Sequence, residues 1–299
     1  MTVDVQTTTV KPPAPITGRA TGTALDALNR VPWWALIVVL LGLGLGIGLA
    51  TGERYRLAFQ FIAAGAVLTI QVSLGSFLIA LIVGLIAGLG RVSKNVIFYT
   101  LSTLYVEIVR GIPLLVQVIM ITYAIVPWLV NDVINRWLVR QVLNVYGVQY
   151  GLLAAPTDWQ MNIQGVGLVY RAGAALALGY GAYLAEIYRA GIQSISRGQM
   201  EAARSLGMTY WEAMRHVILP QAIRVILPPL GNDFIAMLKD SSLISIASVY
   251  ELTGQGRLYI SRTFDTFTGW YVVSYTYLVM TLCLSAVVRV LERRTATPR

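Results

Sequence analysis

Residues 194–220, SISRGQMEAARSLGMTYWEAMRHVILP, decide the fold, because they form the longest polar, helix-forming interruption in a chain otherwise built of very apolar segments. Ser196 and Gln199 have capping-box spacing, in which the hydroxyl accepts from the third backbone N–H and the later side chain reaches back to the cap. This predicts a short helix over 197–206. Gly207 then closes it by entering the left-handed region without a Cβ penalty. Thr209 and Glu212 repeat the capping box and start a second short helix. Its end is expected near Ile218, since Pro220 disfavours helical geometry in the residue before it. Two short capped helices between apolar spans suit a docking element at a membrane surface. On pattern alone an ordinary helical loop fits equally well.

Working outward, the flanking segments set the class. Hydrophobic residues make up 56% of the chain and charged ones 12%, with mean hydropathy +0.66, against about 25% charged in soluble domains. An integral membrane protein follows. Residues 33–50 are an uncharged run of 18, enough to cross most of a hydrocarbon core of about 30 Å. The residues before them are too many for the n-region of a signal peptide. With Thr7, Thr8, Thr9, Pro12, Pro13 and Pro15, residues 1–30 read as a disordered tail, and 31–56 as an accessory transmembrane helix. Gly42 with Gly46, or Gly44 with Gly48, lie four apart and suit close packing on a neighbour.

Residues 57–90 carry no charge and predict one long tilted helix. The next span is expected over 96–130, kinked at Pro113. Glu107 and Arg110 lie one turn apart on it, either as a local ion pair or as solute contacts. Residues 131–164 are polar and rich in Trp and Tyr, and read as an outer-face extension with a short helix over 133–143. Spans over 165–190, 223–249 and 266–288 follow, then Arg289, Glu292, Arg293, Arg294 and Arg299 form a basic end, with 295–299 as the C-terminal tail. The fold class is thus all-α, a polytopic membrane helical bundle with one accessory span and five in its core.

Basic residues orient it. With the N-terminus inside, 14 of the 23 Lys and Arg fall on the inner side, among them Lys94, Arg189, Arg197, Arg204, Arg215, Arg293 and Arg294. Only Arg54, Arg56, Arg136, Arg140, Arg257 and Arg262 fall outside. Both termini and the docking pair are therefore expected in the cytoplasm. Topology accounts for the net charge of +9, so no nucleic acid is called for.

Catalytic constellations are missing from the pattern. Lysine occurs only at Lys11, Lys94 and Lys239, none of which ends a phosphate-binding G-x-x-x-x-G-K-[ST] loop. The single histidine, His216, and the single cysteine, Cys283, make no metal set. His216 reads as a surface residue and Cys283 as a small core residue. A polar solute path remains. Asn232 and Asp233 follow the helix-breaking Pro228 and Pro229, and broken helices at mid-membrane are where transporters expose polar groups to ligands. Asp233 is open to two readings, an acid facing a ligand ammonium or a structural hydrogen bond. Glu186 is expected to bond a neighbouring backbone group or Arg189.

Glu201-Ala202-Ala203, Gly207 and Ile218-Leu219-Pro220 resemble the EAA motif of the membrane subunits of ABC importers. The flanks Ala182-Tyr183-Leu184-Ala185-Glu186, Arg189-Ala190-Gly191-Ile192, Leu227-Pro228-Pro229-Leu230-Gly231-Asn232 and Leu238-Lys239-Asp240-Ser241-Ser242 resemble the polar amino-acid branch, the histidine, glutamine and arginine permeases. The resemblance covers residues 58–294. It implies a five-helix type I importer core over 57–294, in a bacterial inner membrane, with no cofactor on this chain. ATP and Mg would be held by partner ATPase subunits. A second permease subunit, identical or related, and a periplasmic amino-acid-binding protein would complete the assembly in the lipid. By the same resemblance, Gln199, Glu201, Ala202, Ala203, Gly207, Leu219 and Pro220 would couple to the ATPase, and Thr69, Gln117, Asn232 and Asp233 are the candidates for solute contact. The competing reading is a secondary transporter that needs no ATPase. It predicts charge networks in both halves and an inverted repeat, and the sequence has no clear repeat.

Overall fold

The computed structural model describes residues 40, 42–44, 46–48, 51–147, 149–150, 161 and 166–295, in two units, Met1–Gly44 and Leu45–Arg299. In the first, residues 40 and 42–44 are helical. All that follows concerns the second. The tail expected over 1–30, half of the accessory helix expected over 31–56, residues 148, 151–160 and 162–165 of the expected outer-face extension, and residues 296–299 lie outside the described residues.

α1 (Glu53–Ile62) and α2 (Ala64–Val92) meet at Ala63, which keeps helical dihedrals, so the uncharged run forms one nearly unbroken leg. Asn95 caps α3 (Val96–Gly111), its side-chain oxygen accepting from the backbone N–H of Ile97 at 2.9 Å and of Phe98 at 3.4 Å. The chain then breaks at Ile112 and Pro113, both extended, before α4 (Leu114–Met120). This break strands carbonyls at the end of α3. The Gln117 side-chain amide donates to two of them, Val109 and Ile112, at 2.7 Å each.

α4 runs on through wide π turns over Ile121–Ile125, a single α turn α5 (Val126–Trp128), and further π turns over Leu129–Gly147. The helical leg therefore continues past residue 130 and past the short helix expected over 133–143. Pro127 lies in the first turn of α5, where its missing N–H is tolerated, and no further proline or glycine interrupts the chain before Gly147. An Asp132–Arg136 pair at 2.7 Å supports this stretch one turn apart.

α6 (Leu168–Gln193) leads into α7 (Arg197–Ser205), α8 (Tyr210–Ala213) and a π stretch over Met214–Ile218. α9 (Leu219–Asp240), a 3-10 stretch over Ser241–Ala247, α10 (Leu252–Thr263) and α11 (Thr266–Thr295) complete the chain. There is no strand among the described residues.

α2 and α6 form the central pair. Lipid tails supply no hydrophobic force between helices, so close approach of small residues has to provide the contact. A Cβ on Gly84 would lie 2.7 Å from Leu184 Cβ, and one on Gly88 would lie 2.8 Å from the Ala185 carbonyl. The Ser76 hydroxyl donates across the same seam to the Gly173 carbonyl at 2.9 Å. Around the pair, Val118 of α4 and Ile244 close on Val72 and Leu176, Met237 of α9 closes on Phe77 and Leu184, and Val106 of α3 closes on Ala87 and Ala185. A separate cluster joins α1, α10 and α11 through Ile62, Leu252, Val272 and Val273.

Three legs are long and apolar enough to cross a membrane by composition among the described residues: Glu53–Val92, Leu114–Val145 and Thr266–Leu291. α6 and α9 carry Arg171, Glu186, Asp233, Lys239 and Asp240 instead. α6 is wrapped by α2, α3, α4 and α9, so it faces protein rather than lipid, and charges are tolerated in that setting.

Candidate docking face and solute pocket

The polar stretch folds into the expected helix pair, but its two caps differ. Ser196 has the extended backbone of an N-cap, yet its hydroxyl makes no capping bond, and the Gln199 N–H goes to the Ser196 carbonyl at 3.1 Å. The first capping box therefore does not form. At the other end of α7, Gly207 has φ +86°. Its N–H donates to the Arg204 carbonyl at 3.0 Å and that of Met208 to the Ala203 carbonyl at 3.3 Å, the paired bonds of a Schellman closure. The second box is complete. Thr209 Oγ1 accepts from the Glu212 N–H, and the Glu212 carboxylate accepts from the Thr209 N–H at 2.8 Å and its hydroxyl at 2.9 Å. These two Thr209 donors hold the Glu212 carboxyl below its ordinary range.

The second helix does not stop near Ile218. Its turns widen to π geometry over Met214–Ile218 and pass into α9, placing Pro220 in the first turn of that helix, where a missing N–H is no loss. The Gln221 side-chain amide donates to the Val217 carbonyl at 2.9 Å and satisfies one of the acceptors there.

Ala203, Ala213 and Ile218 face inward and are buried. Gln199, Glu201, Ala202, Gly207, Leu219 and Pro220 are exposed. Beside them Leu206 is 80% and Trp211 77% exposed, the two most exposed large apolar side chains of the tip.

A cavity of about 300 Å³ lies between Leu114 of α4, Tyr180 and Tyr183 of α6, and Asp233, Ala236 and Asp240 of α9. The Tyr180 hydroxyl donates to Asp240 Oδ2 at 2.8 Å. Neither aspartate pairs with a cation among the described residues. Arg110 stacks over the Tyr183 ring, 5.6 Å from its centroid. It does not pair with Glu107, as its spacing had suggested. Glu107 faces Arg91 at 3.4 Å, a partner brought in from α2 that helical spacing alone does not reveal.

Of the four solute candidates, Asp233 lines this cavity. Asn232 is its exposed neighbour. Gln117 stands behind the Leu114 wall, where a Cβ on Gly179 would lie 3.1 Å from its side-chain oxygen. Thr69 is elsewhere. It is fully buried, accepts from the Leu252 N–H at 3.0 Å, and has its hydroxyl 3.0 Å from the Gly65 carbonyl and 3.3 Å from Glu251 Oε2.

Sequence reasoning missed Glu251. It is fully buried at the N-cap of α10, and its carboxylate accepts from the backbone N–H of Thr253 at 3.0 Å and Gly254 at 2.9 Å and from the Tyr277 hydroxyl at 2.8 Å. An acid just ahead of a helix start was the available signal, hidden because residues 250–265 fall between the spans expected over 223–249 and 266–288. Tyr180, Tyr183 and Asp240 were likewise not singled out as cavity residues.

A polytopic bundle that presents a capped, exposed helix pair can be compared with known proteins. A family model described as the binding-protein-dependent transport system inner membrane component matches residues 80–297. The chain belongs to this family. It is a membrane-spanning permease subunit of an ABC transporter, an inner-membrane protein with a type I importer core.

Among similar proteins, the glutamine transport system permease protein GlnP of Escherichia coli strain K12 is 34% identical over 79% of this chain and 94% of its own length. The nopaline transport system permease protein NocM of Agrobacterium fabrum is 34% identical over 79% of this chain and 88% of its own. A solved amino acid ABC transporter with histidines has a chain 35% identical to this permease, with TM-score 0.61, covering 79% of this chain and 94% of that one. The MetNI methionine ABC transporter, at 16% identity and TM-score 0.55, shares the fold.

Proposed function

We propose that this permease forms half of the conduction path of an ATP-driven amino-acid importer. A periplasmic binding protein delivers the solute to the outer face. Two ATPase subunits, holding ATP and Mg, dock on the helix pair over 194–220, and a second permease subunit, identical or related, completes the path. Both termini and the docking pair lie in the cytoplasm.

The observation that carries this reading is the docking tip itself. Glu201, Ala202 and Gly207 are presented together with exposed Leu206 and Trp211 on a short pair closed by a Schellman turn and a complete capping box. A water-exposed apolar surface of that kind marks a protein contact. The sequence contains no phosphate-binding loop of its own, so the hydrolysing site belongs to the partner. The cavity beside Asp233 is the proposed solute site. Two carboxylates and two tyrosine rings there suit the ammonium group of an amino acid.

Affinity purification of the tagged permease in mild detergent tests this. A P-loop ATPase is expected to co-purify, and uptake into vesicles is expected to require ATP and the binding protein. Uptake driven by an ion gradient, with no ATPase bound, would instead establish the secondary-transporter reading.

A further inference from the structure

The docking pair joins the bundle through the end of α6, since α7 starts only a few residues beyond Gln193. At that end the side chains form a continuous ionic joint. Glu186 accepts from Arg91 Nη1 at 2.8 Å, from Arg189 Nε at 3.2 Å, and from Arg189 Nη2. Arg189 also donates from Nη1 to the Gln193 side chain at 2.5 Å, so the bonds run along α6 to its last residue. In the other direction Arg91, in the final turn of α2, reaches Glu107 of α3 at 3.4 Å. One carboxylate thus ties the root of the docking pair to two bundle helices.

Two details distinguish the partners of Arg91. The Arg91 side chain is only 13% exposed, while that of its second partner, Glu107, is 67% exposed. Arg91 Nε is buried with no partner, and a buried donor left unmade is costly. The arginine thus has two carboxylates within reach, one on α6 and one on α3. The α2 and α6 backbones are in close contact beside it, since a Cβ on Gly88 would lie 2.8 Å from the Ala185 carbonyl.

We infer that Glu186 is a positioning residue for energy coupling: through its shared bond with Arg91 it transmits displacement of the docking pair to α2 and α3. This rests on the proposed function above. The Glu186 carboxylate touches neither solute nor nucleotide. It acts by choosing which carboxylate Arg91 engages.

The test uses the full assembly, permease with ATPase and binding protein, in proteoliposomes. ATP hydrolysed per solute imported is measured for wild type, Glu186→Gln, and the double variant Glu186→Arg with Arg91→Glu. Glu186→Gln is expected to keep the ATPase bound and hydrolysing while uptake falls about tenfold, within the usual range of allosteric coupling energies. The exchanged pair is expected to recover part of the ratio, which a merely structural loss would not do. An unchanged ratio in Glu186→Gln with the ATPase bound would overturn the inference and leave the importer reading intact. A wild-type permease that binds no ATPase would sink the importer reading itself. If Glu186→Gln does not assemble, Glu107→Gln replaces it, since that side chain is mostly exposed and removes only the alternative partner of Arg91. A raised ratio in Glu107→Gln supports the switch, and an unchanged one overturns it.

Discussion

Gly191 lies flat against Ile226: a Cβ on the glycine would run into Ile226 Cγ1 and come within 2.8 Å of its Cδ1. The two residues stand on α6 and α9, the helices through which the chain enters and leaves the docking pair. Their contact makes the two stalks one unit. Gly191→Ala is expected to overpack this point and cost about 1–3 kcal/mol, read as a lower unfolding midpoint of the detergent-purified permease. Combining it with Ile226→Ala removes the colliding atoms, and the midpoint should rise again. If the double variant unfolds lower still, the clash is not the cause.

Gly207 makes a different demand. Nothing lies within 4 Å of where its Cβ would be, so space is not the constraint; its φ of +86° is. An L side chain in the left-handed region costs about 1–2 kcal/mol, and asparagine tolerates it better than most. Gly207→Ala should therefore loosen the Schellman turn and reduce ATPase retention on purification more than Gly207→Asn does. Gly207→Asp or Glu201→Lys should abolish uptake while the permease still inserts. Equal retention for alanine and asparagine would show that the turn does not set the docking geometry.

The Glu212 capping box gives a pH dependence with a definite sign. Thr209 holds the carboxyl below its ordinary range, so the folded state binds its proton more weakly than the unfolded chain does. The box contributes stability above the unfolded pKa and loses it as pH falls through the lowered folded one. Amide exchange over 209–213 should accordingly speed up, relative to its intrinsic rate, between about pH 5 and pH 3. Glu212→Gln, which keeps an acceptor at the same place, should flatten that dependence. A pH response that persists in the glutamine variant would point to another group.

How much of this was legible varies with the kind of signal. The uncharged run over 57–90, Gly207 and the Thr209–Glu212 spacing are local patterns, and they are found as α2, the Schellman turn and the complete capping box. The end of the second helix was misread because Pro220 was weighed as a breaker, whereas π turns ahead of it move the proline into a first turn, where it is harmless. The Ser196 box failed although its spacing was right, since spacing does not fix the side-chain rotamer. Of the two readings of Glu107, the pair with Arg110 was the only ionic partner in view, because sequence separation shows neighbours along one helix only. Arg91 and Glu251 find their partners across helices far apart in the chain, at separations that no periodicity encodes.

Thr69 and Glu251 permit a clear separation of structural from solute-binding roles. The Thr69 hydroxyl serves the Leu252 N–H and the Glu251 carboxylate inside a buried joint between α2 and α10. Thr69→Val keeps the shape and removes those bonds, leaving a buried donor and part of a buried carboxylate unserved, at a cost of about 1–3 kcal/mol. The unfolding midpoint should fall while the KM for uptake stays put. A raised KM with unchanged stability would move Thr69 into the solute path.

Asp233 carries the opposite expectation. Its carboxyl lines the cavity with Tyr180, Tyr183 and Asp240, and α9 holds it there just past Pro228 and Pro229. Tyr180 already donates to Asp240, so Asp240 is partly committed and Asp233 is the more available acceptor. Asp233→Asn keeps the volume and removes the charge, so it should change the order in which a panel of amino acids competes for uptake, with basic ones losing most. The loss is expected to be about 10- to 100-fold, the scale of one charge-assisted hydrogen bond worth roughly 1.5–3 kcal/mol. Stability should change little, because the partly buried carboxylate forms no ion pair among the described residues. Competition that keeps its order, with only the overall rate reduced, would assign the cavity to helix packing and send the search for the solute site to another face of the bundle.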